Sequence, residues 1–302
     1  MALCSATSPL RPSGALLLTS LLALLLTACS PQQLVLRNMA DQLAAQGSAS
    51  EDDLELARDA SAFYLKLSEA VLRGVPDHAG LAAATAGGFT QYAYAFVAFE
   101  ADRLDSRDAR AAQRLRERAA RLYRRGRDHA LGTLEQRHPG ILAALRNGSA
   151  LTLEAADVPL AYWGAAAWGA AIALSKDDPE AVADLPLAHR LAEKAWQADP
   201  AFGQGDLASL MGSIEAARPG GSQTRALAYF DEAIRLSGGG SAGALVAKAE
   251  GIAQPAGDKA AFLALLERAE GIKDAPGSPR TLANEVMRRR ARWLIDTVDD
   301  LF

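Results

Sequence analysis

Serine and glycine patterns offer the first candidates for chemistry in this sequence. Residues 239–243 read GGSAG, the G-x-S-x-G form of a nucleophile elbow, which needs a strand before the serine and a helix after it. The residues before Ser241 end a helical segment instead, so the pattern predicts a loop. Residues 203–208 read GQGDLA and resemble a dinucleotide-binding turn, but the strand required before such a turn is also missing.

The histidines and acidic residues give no metal-binding or acid–base pattern. No pair of histidines has metal-ligand spacing, and no carboxylate pair stands out from the surface acids. We therefore expect no metal, no cofactor and no catalytic residue, and the sequence predicts a protein that is not an enzyme. Structural roles are expected for the histidines, which are His78, His129, His138 and His189.

The N-terminal segment contains a candidate site of covalent modification. Residues 15–26 (ALLLTSLLALLL) form an apolar run too short to cross a bilayer comfortably, and residues 26–29 (LTAC) resemble a bacterial lipobox. We predict that residues 1–28 are removed as a lipoprotein signal peptide and that Cys29 is acylated. Ser30 then follows the acylated cysteine, which favours the outer membrane over the inner one. The alternatives are an ordinary secretory signal or an uncleaved anchor.

Removal of this segment sets the properties of the mature chain. Cys29 becomes the single cysteine, so no intramolecular disulfide can form. Of the 32 basic residues, 31 remain against 36 acidic ones, and a net charge near −5 argues against nucleic-acid binding. We expect residues 29–50 to tether a helical repeat domain, residues 51–302, to the periplasmic face of the outer membrane.

Arginines from Arg103 to Arg125 recur at intervals of three and four residues. On one continuous helix they would form a stripe about 33 Å long at 1.5 Å per residue. A break near Asp105 and Ser106, where Ser106 could cap a new helix, would shorten it. The two interpretations are a solvated face paired with neighbouring acids and a docking surface for an acidic partner or anionic lipid. The candidate partner surface is Arg107, Arg110, Arg114, Arg118 and Arg121.

Composition and spacing predict the elements that carry these residues. Half of the residues are hydrophobic, many of them alanine, which is typical of an all-α protein. A pattern of a small residue, a large or small residue and a small residue at offsets 0, 4 and 7 recurs after 38 and then 36 residues, with a poorer fit in the last unit, and the tetratricopeptide period is 34. We predict tetratricopeptide-like helical hairpin repeats in one compact domain, with a generic alanine-rich bundle as the alternative. The repeat positions are Ala188, Ala192 and Ala195; Ala226, Phe230 and Ala233; Phe262, Leu266 and Ala269; and, at the N-terminus, Phe63, Leu67 and Ala70.

The stretch DVPLAYWGAAAWGAAIALSKDDPE, residues 157–180, is the most apolar part of the mature chain. Its uncharged core is at the lower limit for a membrane span, and a proline and charged residues bound it, so we predict a buried helix. Trp163 and Trp168 are five residues apart and must point to different sides. A second aromatic cluster, GFTQYAYAFVAF, places Tyr92, Phe96 and Phe99 on one predicted helix face.

At these two clusters the chain resembles the TatT component of TRAP transporters, which are periplasmic lipoproteins with tetratricopeptide-like repeats. The resemblance covers nearly the whole mature chain. It is carried by GFTQYAYAFV, EADRL, LYRRGRDHALGTLEQRHPG, the residue 157–186 stretch, EAARPGG and the terminal RRRARWLIDTVDDLF.

The resemblance implies an all-helical accessory protein that works with a periplasmic TRAP substrate-binding subunit. It also implies a homo-oligomer, in particular a trimer, and a hydrophobic passage through each subunit. We expect the chain to bind an apolar or amphipathic ligand or to pass it to that subunit; the alternative is an envelope scaffold with protein partners only. The cavity-lining hypotheses are Tyr92, Phe96, Tyr162, Trp163 and Trp168.

Overall fold

The computed structural model describes residues 31–46, 51 and 53–302. The described residues are helical with no strand, which confirms the predicted all-α class in one compact domain. The α-helices are α1 (Pro31–Gln46), α2 (Leu54–Leu72), α3 (Ala79–Ala93), α4 (Phe99–Leu104), α5 (Ala109–Arg137), α6 (Ile141–Asn147), α7 (Val158–Ala173), α8 (Pro179–Ala183), α9 (Leu185–Ala198), α10 (Asp206–Ala217), α11 (Gln223–Leu236), α12 (Ala242–Lys248), α13 (Lys259–Glu270) and α14 (Thr281–Asp296).

Two π-helical and three 3₁₀ segments join or extend these helices within the described residues. The π turn Tyr94–Ala98 connects α3 to α4 without a break, and a second π turn, Ala249–Ala253, extends α12. The short 3₁₀ segments are Ala155–Asp157, Phe202–Gly205 and Val298–Asp300.

Short polar side chains begin many of the helices. Asp53 accepts hydrogen bonds from the backbone N–H groups of residues 55 and 56, and Asp108 accepts one from residue 111. These bonds satisfy amide groups that the first helical turn leaves without a partner. Side-chain caps of the same kind begin α8, α11, α12 and α13 at Asp178, Ser222, Ser241 and Asp258.

The largest core forms where α3, α5, α7 and α9 pack on one another. Gly126 of α5 allows a close crossing with α3, because a Cβ atom at this position would lie 2.9 Å from the Ala86 carbonyl oxygen. Leu134, Leu160 and Leu191 come from three different helices and are fully buried in this core. Such close packing requires the small residues in which these helices are rich.

The C-terminal helices α12, α13 and α14 form a second apolar cluster. Arg290 of α14 joins it to the N-terminal half, since Nη1 donates to Asp102 Oδ2 at 3.0 Å and Nε donates to Glu250 Oε2 at 3.1 Å. The Arg290 guanidinium also lies over the rings of Phe99 and Trp293. Helix α14 also packs on α2, where it closes one side of the cavity described below.

The predicted repeat residues are buried in three of the four units. Ala195, Ala233 and Ala269 are buried on α9, α11 and α13, together with the other small or aromatic residues of their three units. In the N-terminal unit Phe63 is 73% exposed, so this part of the repeat prediction is wrong. Helix α2 turns Leu65 and Leu72 inward instead. The tetratricopeptide character of the hairpins stays a prediction.

Most of the predicted tether, residues 29–50, is the helix α1. Leu36, Ala40 and Leu43 follow helical spacing and pack on the body of the protein, with Ala40 fully buried. This part of the tether is therefore a packed helix. Cys29 and the predicted signal peptide lie outside the described residues.

Candidate functional site

A cavity of about 430 Å³ lies among α2, α3, the first π turn, α7 and the start of α14. Its volume falls within the range of small-molecule binding sites, which is roughly 300–1,000 Å³. Most of the lining side chains are apolar or aromatic. The main lining residues are Ala57, Ala60, Tyr64, Leu65, Ala84, Gly87, Gly88, Tyr92, Tyr94, Ala95, Phe96, Trp163, Leu282, Ala283, Val286 and Met287.

A pair of glycines lets two side chains fit against the helix α3 at this cavity. A Cβ atom at Gly87 would lie 2.6 Å from Cε2 of Trp163, and one at Gly88 would lie 2.7 Å from Cδ2 of Leu65. Tyr162 packs edge-on against Trp163, with ring centroids 4.7 Å apart. The Trp163 indole is therefore held flat against α3, where it forms part of the cavity wall.

The π turn Tyr94–Ala98 directs several aromatic residues to the cavity. A π turn bonds residue i to residue i+5 and so offsets the helix face beyond it. Tyr92 and Phe96 remain together, with ring centroids 5.4 Å apart. Phe99 packs instead against Trp293, at a centroid distance of 5.8 Å. The predicted common face of Tyr92, Phe96 and Phe99 is therefore wrong at Phe99, because the sequence analysis assumed a regular α-helix.

The polar groups of the cavity are mostly neutral. Tyr64 donates its hydroxyl to the Leu43 carbonyl oxygen at 2.7 Å, and burial raises the pKa of Tyr94. Glu51 supplies the one charged lining side chain within the described residues, and its Oε1 accepts from the Asp53 N–H at 2.9 Å. The remaining polar side chains include those of Gln46 and Gln91. An apolar body and a small polar group can both be accommodated.

Tyr162 faces a second, smaller cavity of about 240 Å³. Polar side chains dominate its lining, including Asp206 and three serines. Burial raises the pKa of Asp206, although Arg280 donates to its Oδ1 at 2.9 Å and opposes this effect. Met287, which lines the larger cavity, lies near Gly243 of the smaller one, and a Cβ at Gly243 would be 3.6 Å from Met287 Cγ.

Trp168 lies apart from both cavities in the described chain. Its side chain is buried, its Nε1 donates to Asp184 Oδ2 at 3.2 Å, and the Arg127 guanidinium lies 5.6 Å from the ring centroid. These contacts give Trp168 a structural role between α7 and the start of α9. The structure thus brings Tyr92, Phe96 and Trp163 together at the larger cavity, places Tyr162 at the smaller one and leaves Trp168 in the core.

The sequence analysis missed the wall contributed by α14. Leu282 and Val286 are four residues apart and lie beside Met287, so helical spacing could have marked an inner face there. Local spacing could not show that this face lines the same cavity as Gly87 and Gly88, almost 200 residues earlier in the chain. Arg290 of the same helix forms a long-range ion pair with Asp102 of α4.

The predicted arginine stripe is interrupted between α4 and α5. Asp108 caps α5, rather than Ser106, and Arg103 stays on α4, where it donates to Glu100 at 3.3 Å. At the other end Arg125 pairs with the buried carboxylate of Glu69. What remains is a shorter surface, which we call the arginine row, made of Arg107, Arg110, Arg114, Arg118 and Arg121.

The arginine row is exposed, and within the described residues none of its members has an acidic partner. Arg116, on the same helix but turned inward, differs in that its Nη1 donates to Asp105 at 2.8 Å. Unpaired guanidinium groups on one helix face remain available to bind acidic groups of another molecule. Four of them span about 16 Å of α5 at 1.5 Å per residue.

Comparison with known proteins agrees with this architecture. The sequence model of the family named TAtT, the TRAP transporter T-component, matches residues 50–302. The chain belongs to this family. The match includes α2, α3, α7 and α14, which form most of the larger cavity, and it confirms the resemblance found in the sequence. A T-component is an accessory part of a TRAP system, which is not a class of enzyme.

A relative from Treponema pallidum (strain Nichols) is described as an uncharacterized protein. It is 28% identical over 262 residues, which are 83% of this chain and 81% of the relative. The similarity therefore extends over most of both proteins.

Two further observations bear on the earlier candidates for chemistry and membrane insertion. The Ser241 hydroxyl accepts a hydrogen bond from the Ala244 N–H at 3.2 Å, so this serine caps α12 and follows no strand. Across the described residues, no helix has the length and apolar character needed to cross a membrane. The apolar stretch of residues 157–180 contains the buried helix α7, as its sequence predicted.

Proposed function

We propose that this T-component is a lipid-anchored periplasmic protein that binds an apolar or amphipathic ligand for a TRAP-type uptake system. The cavity among α2, α3, α7 and α14 is the observation that carries this proposal. Membership of the chain in the T-component family supports an accessory role in transport, and the lipobox at Cys29 supports attachment to the outer membrane. The ligand is then held by the protein or passed to a soluble substrate-binding subunit.

The lining of the cavity favours an amphipathic ligand. Trp163, Phe96 and Met287 offer apolar contact surface, whereas Gln91 and Glu51 offer hydrogen-bonding groups. An apolar ligand gains affinity by removing such surfaces from water, and a few polar groups are enough to orient it. The one lining carboxylate, that of Glu51, favours a neutral or hydrogen-bond-donating polar end over a strongly anionic one.

Filling the cavity should weaken ligand binding. Ala84 lines the cavity on α3, so Ala84→Phe places a ring in the ligand's space, whereas Ala62→Phe places the same ring on an exposed, non-lining position of α2. We expect a fluorescent long-chain fatty-alcohol analogue, which has a neutral polar end, to bind wild type and Ala62→Phe alike. Ala84→Phe should bind at least about tenfold more weakly, a loss of about 1.4 kcal/mol.

The same titration distinguishes the proposed function from an envelope scaffold. A scaffold with protein partners only would leave the analogue unbound by wild type, or bound equally by Ala84→Phe. Circular dichroism of both variants would show whether each retains its helical content, so that a lost fold is not mistaken for lost binding.

The partner we propose is the periplasmic TRAP substrate-binding subunit, docked through acidic groups that face the arginine row. Charge complementarity of this kind accelerates association and fixes register more than it raises affinity. We also propose that the chain forms a homo-oligomer, a trimer by its resemblance to the family. Sedimentation equilibrium of the purified protein would measure the number of subunits.

A further inference from the structure

The exposed large apolar residues of the described chain are concentrated at its N-terminal helices. On α1, Leu34 is 71% exposed, Val35 is 64% exposed and Met39 is 40% exposed. All three lie in the first nine residues of this helix. The exposed positions of its second half include Asp41 and Gln42 instead. The apolar surface of α1 is thus confined to the end nearest to Cys29.

Helix α1 is fixed to the body along its length. Arg37 Nη2 donates to Asp77 Oδ2 at 2.7 Å, and Asp41 Oδ1 lies 3.0 Å from His78 Nε2. The Leu43 carbonyl accepts the Tyr64 hydroxyl farther along the helix. Together with the buried Ala40, these contacts prevent α1 from rotating to hide its apolar surface.

The position of the predicted acylation site limits what can cover this surface. Leu34 is five positions after Cys29, and because α1 begins at Pro31 the reach is about 12 Å at most, made of two extended steps and three helical ones. Helices that lie at a membrane surface bury their apolar side to a depth of roughly 5–10 Å. Acylation of Cys29 would therefore bring Leu34 and Val35 within reach of the lipid headgroups.

The chemistry of α1 fits a lipid surface better than a second copy of the chain. Its first ten residues, Pro31–Ala40, contain no acidic side chain that would be repelled by anionic headgroups. Three apolar side chains are also too few for a stable protein interface, which buries about 1,200–2,000 Å² in total.

We propose that the N-terminal half of α1 docks on the membrane, with Leu34 and Val35 inserted at the boundary between headgroups and acyl chains. This inference rests on the acylation of Cys29 in the proposed function, and it adds a fixed orientation to the anchored domain. Because α1 is fastened to α2 and α3, docking sets the direction in which the larger cavity and the arginine row face.

The test uses the acylated protein with one added cysteine. Acylation blocks Cys29, so Val35→Cys or Gln42→Cys can be labelled alone with an environment-sensitive fluorophore. These two positions are exposed and seven residues apart, so they share one helix face and differ by about 10 Å along its axis. The labelled proteins are reconstituted into vesicles of phosphatidylethanolamine and phosphatidylglycerol, and mass spectrometry of the intact chain establishes acylation.

We expect vesicles to shift the emission of the label at residue 35 to shorter wavelength and brominated lipids to quench it. The label at residue 42 should stay accessible to aqueous iodide. Equal exposure of both labels to iodide would overturn the proposal, as would an unacylated chain. Shielding of residue 35 without vesicles would assign the surface to a second copy and overturn it as well. Ligand binding and partner binding, measured on the same samples, report separately on the proposed function.

Discussion

At the scale of single residues, Glu69 shows how a buried carboxylate is stabilised in this fold. Its side chain is 5% exposed and accepts both guanidinium N–H groups of Arg125, while Lys66 Nζ donates to it at 2.9 Å. His129 Nε2 lies 2.8 Å from Oε1. Burial alone would raise the pKa of Glu69, but these donors outweigh it and lower the pKa from 4.5 to about 2.

Glu69 should therefore contribute to loss of stability in acid. A carboxylate whose pKa is lower in the folded state stabilises the fold above its unfolded pKa, and this stabilisation is lost as the pH falls from about 4.5 towards 2. Between pH 7 and pH 3 the loss from this residue is about 2 kcal/mol, at roughly 1.4 kcal/mol per pKa unit. Urea unfolding of wild type and Glu69→Gln at each pH would measure it.

Glu232→Gln is the matched control for that measurement. Glu232 also pairs with an arginine, Arg235, but on an exposed part of α11, where solvent weakens the ion pair. The wild type and Glu232→Gln should lose nearly the same free energy of unfolding between pH 7 and pH 3, and Glu69→Gln should lose less. A Glu69→Gln curve parallel to that of wild type would contradict the assignment.

At the scale of helices, α7 contains two glycines with opposite surroundings. A Cβ at Gly164 would lie 3.3 Å from both Ala130 and Leu191, whereas one at Gly169 would have no neighbour within 4 Å. We expect Gly164→Val to overpack the core and cost about 1–3 kcal/mol. Gly169→Ala should stabilise the helix by about 0.5–1 kcal/mol because alanine has less backbone freedom to lose. Thermal unfolding of both variants would show the opposite signs, and a stabilised Gly164→Val would refute the packing argument.

The helices themselves were the most predictable part of the structure. Helix α7 follows from its uncharged sequence and from the proline at its first turn, and α9 and α11 follow from their small residues at offsets 0, 4 and 7. The face of α2 was misjudged at Phe63, because a bulky exposed residue resembles a core residue in a local pattern. The π turn after α3 was also unpredictable, since no residue type marks it.

At the scale of the whole molecule, the cavity required contacts that no local pattern contains. Trp163 and Phe96 could be proposed as lining residues from their apolar clusters, but Met287 of α14 joins them at the cavity only in the folded chain. The T-component family was predictable because its phrases extend over most of the chain. The wall of the cavity that α14 contributes could therefore be found only from the tertiary structure, whereas the fold class and the family could be predicted from the sequence.

Membrane attachment should depend on Cys29. Acyl chains contribute about 0.8 kcal/mol per buried CH₂ group, so more than one chain holds a protein firmly on a membrane. Cys29→Ser should move the protein from the membrane fraction to the soluble fraction of a Gram-negative host. If wild type and Cys29→Ser fractionate alike, the lipobox interpretation is wrong.

The two ends of α5 have different surroundings. Thr133, near its C-terminal end, donates to the Pro76 carbonyl at 3.3 Å, in the turn that also contacts α1 through Leu36 and Gly74. The arginine row begins 12 residues earlier, at Arg121, and so lies about 18–35 Å along the helix from this turn. The arginine row is therefore well separated along α5 from the turn that contacts α1.

Reversal of charge in the arginine row should therefore weaken binding of the TRAP substrate-binding subunit. Arg114→Glu combined with Arg118→Glu replaces attraction by repulsion at two exposed, unpaired positions, so we expect slower association and weaker binding at low salt. High salt should reduce the difference from wild type, because it screens exposed charges over about 10 Å or less. Titration of the purified subunit at low and high salt would measure both effects.

The control for this titration carries the same change of charge on a different surface. Arg268 lies on α13 and Lys273 just after it, and both side chains are exposed. The double variant Arg268→Glu, Lys273→Glu should bind the subunit as wild type does after correction for net charge. Equal weakening by both double variants would assign the effect to the overall field of the protein. Unchanged binding by a folded Arg114→Glu, Arg118→Glu variant would exclude the arginine row from the interface. If only the Arg114→Glu, Arg118→Glu variant binds the subunit more weakly, the unpaired arginines of α5 take part in the transport role of the family.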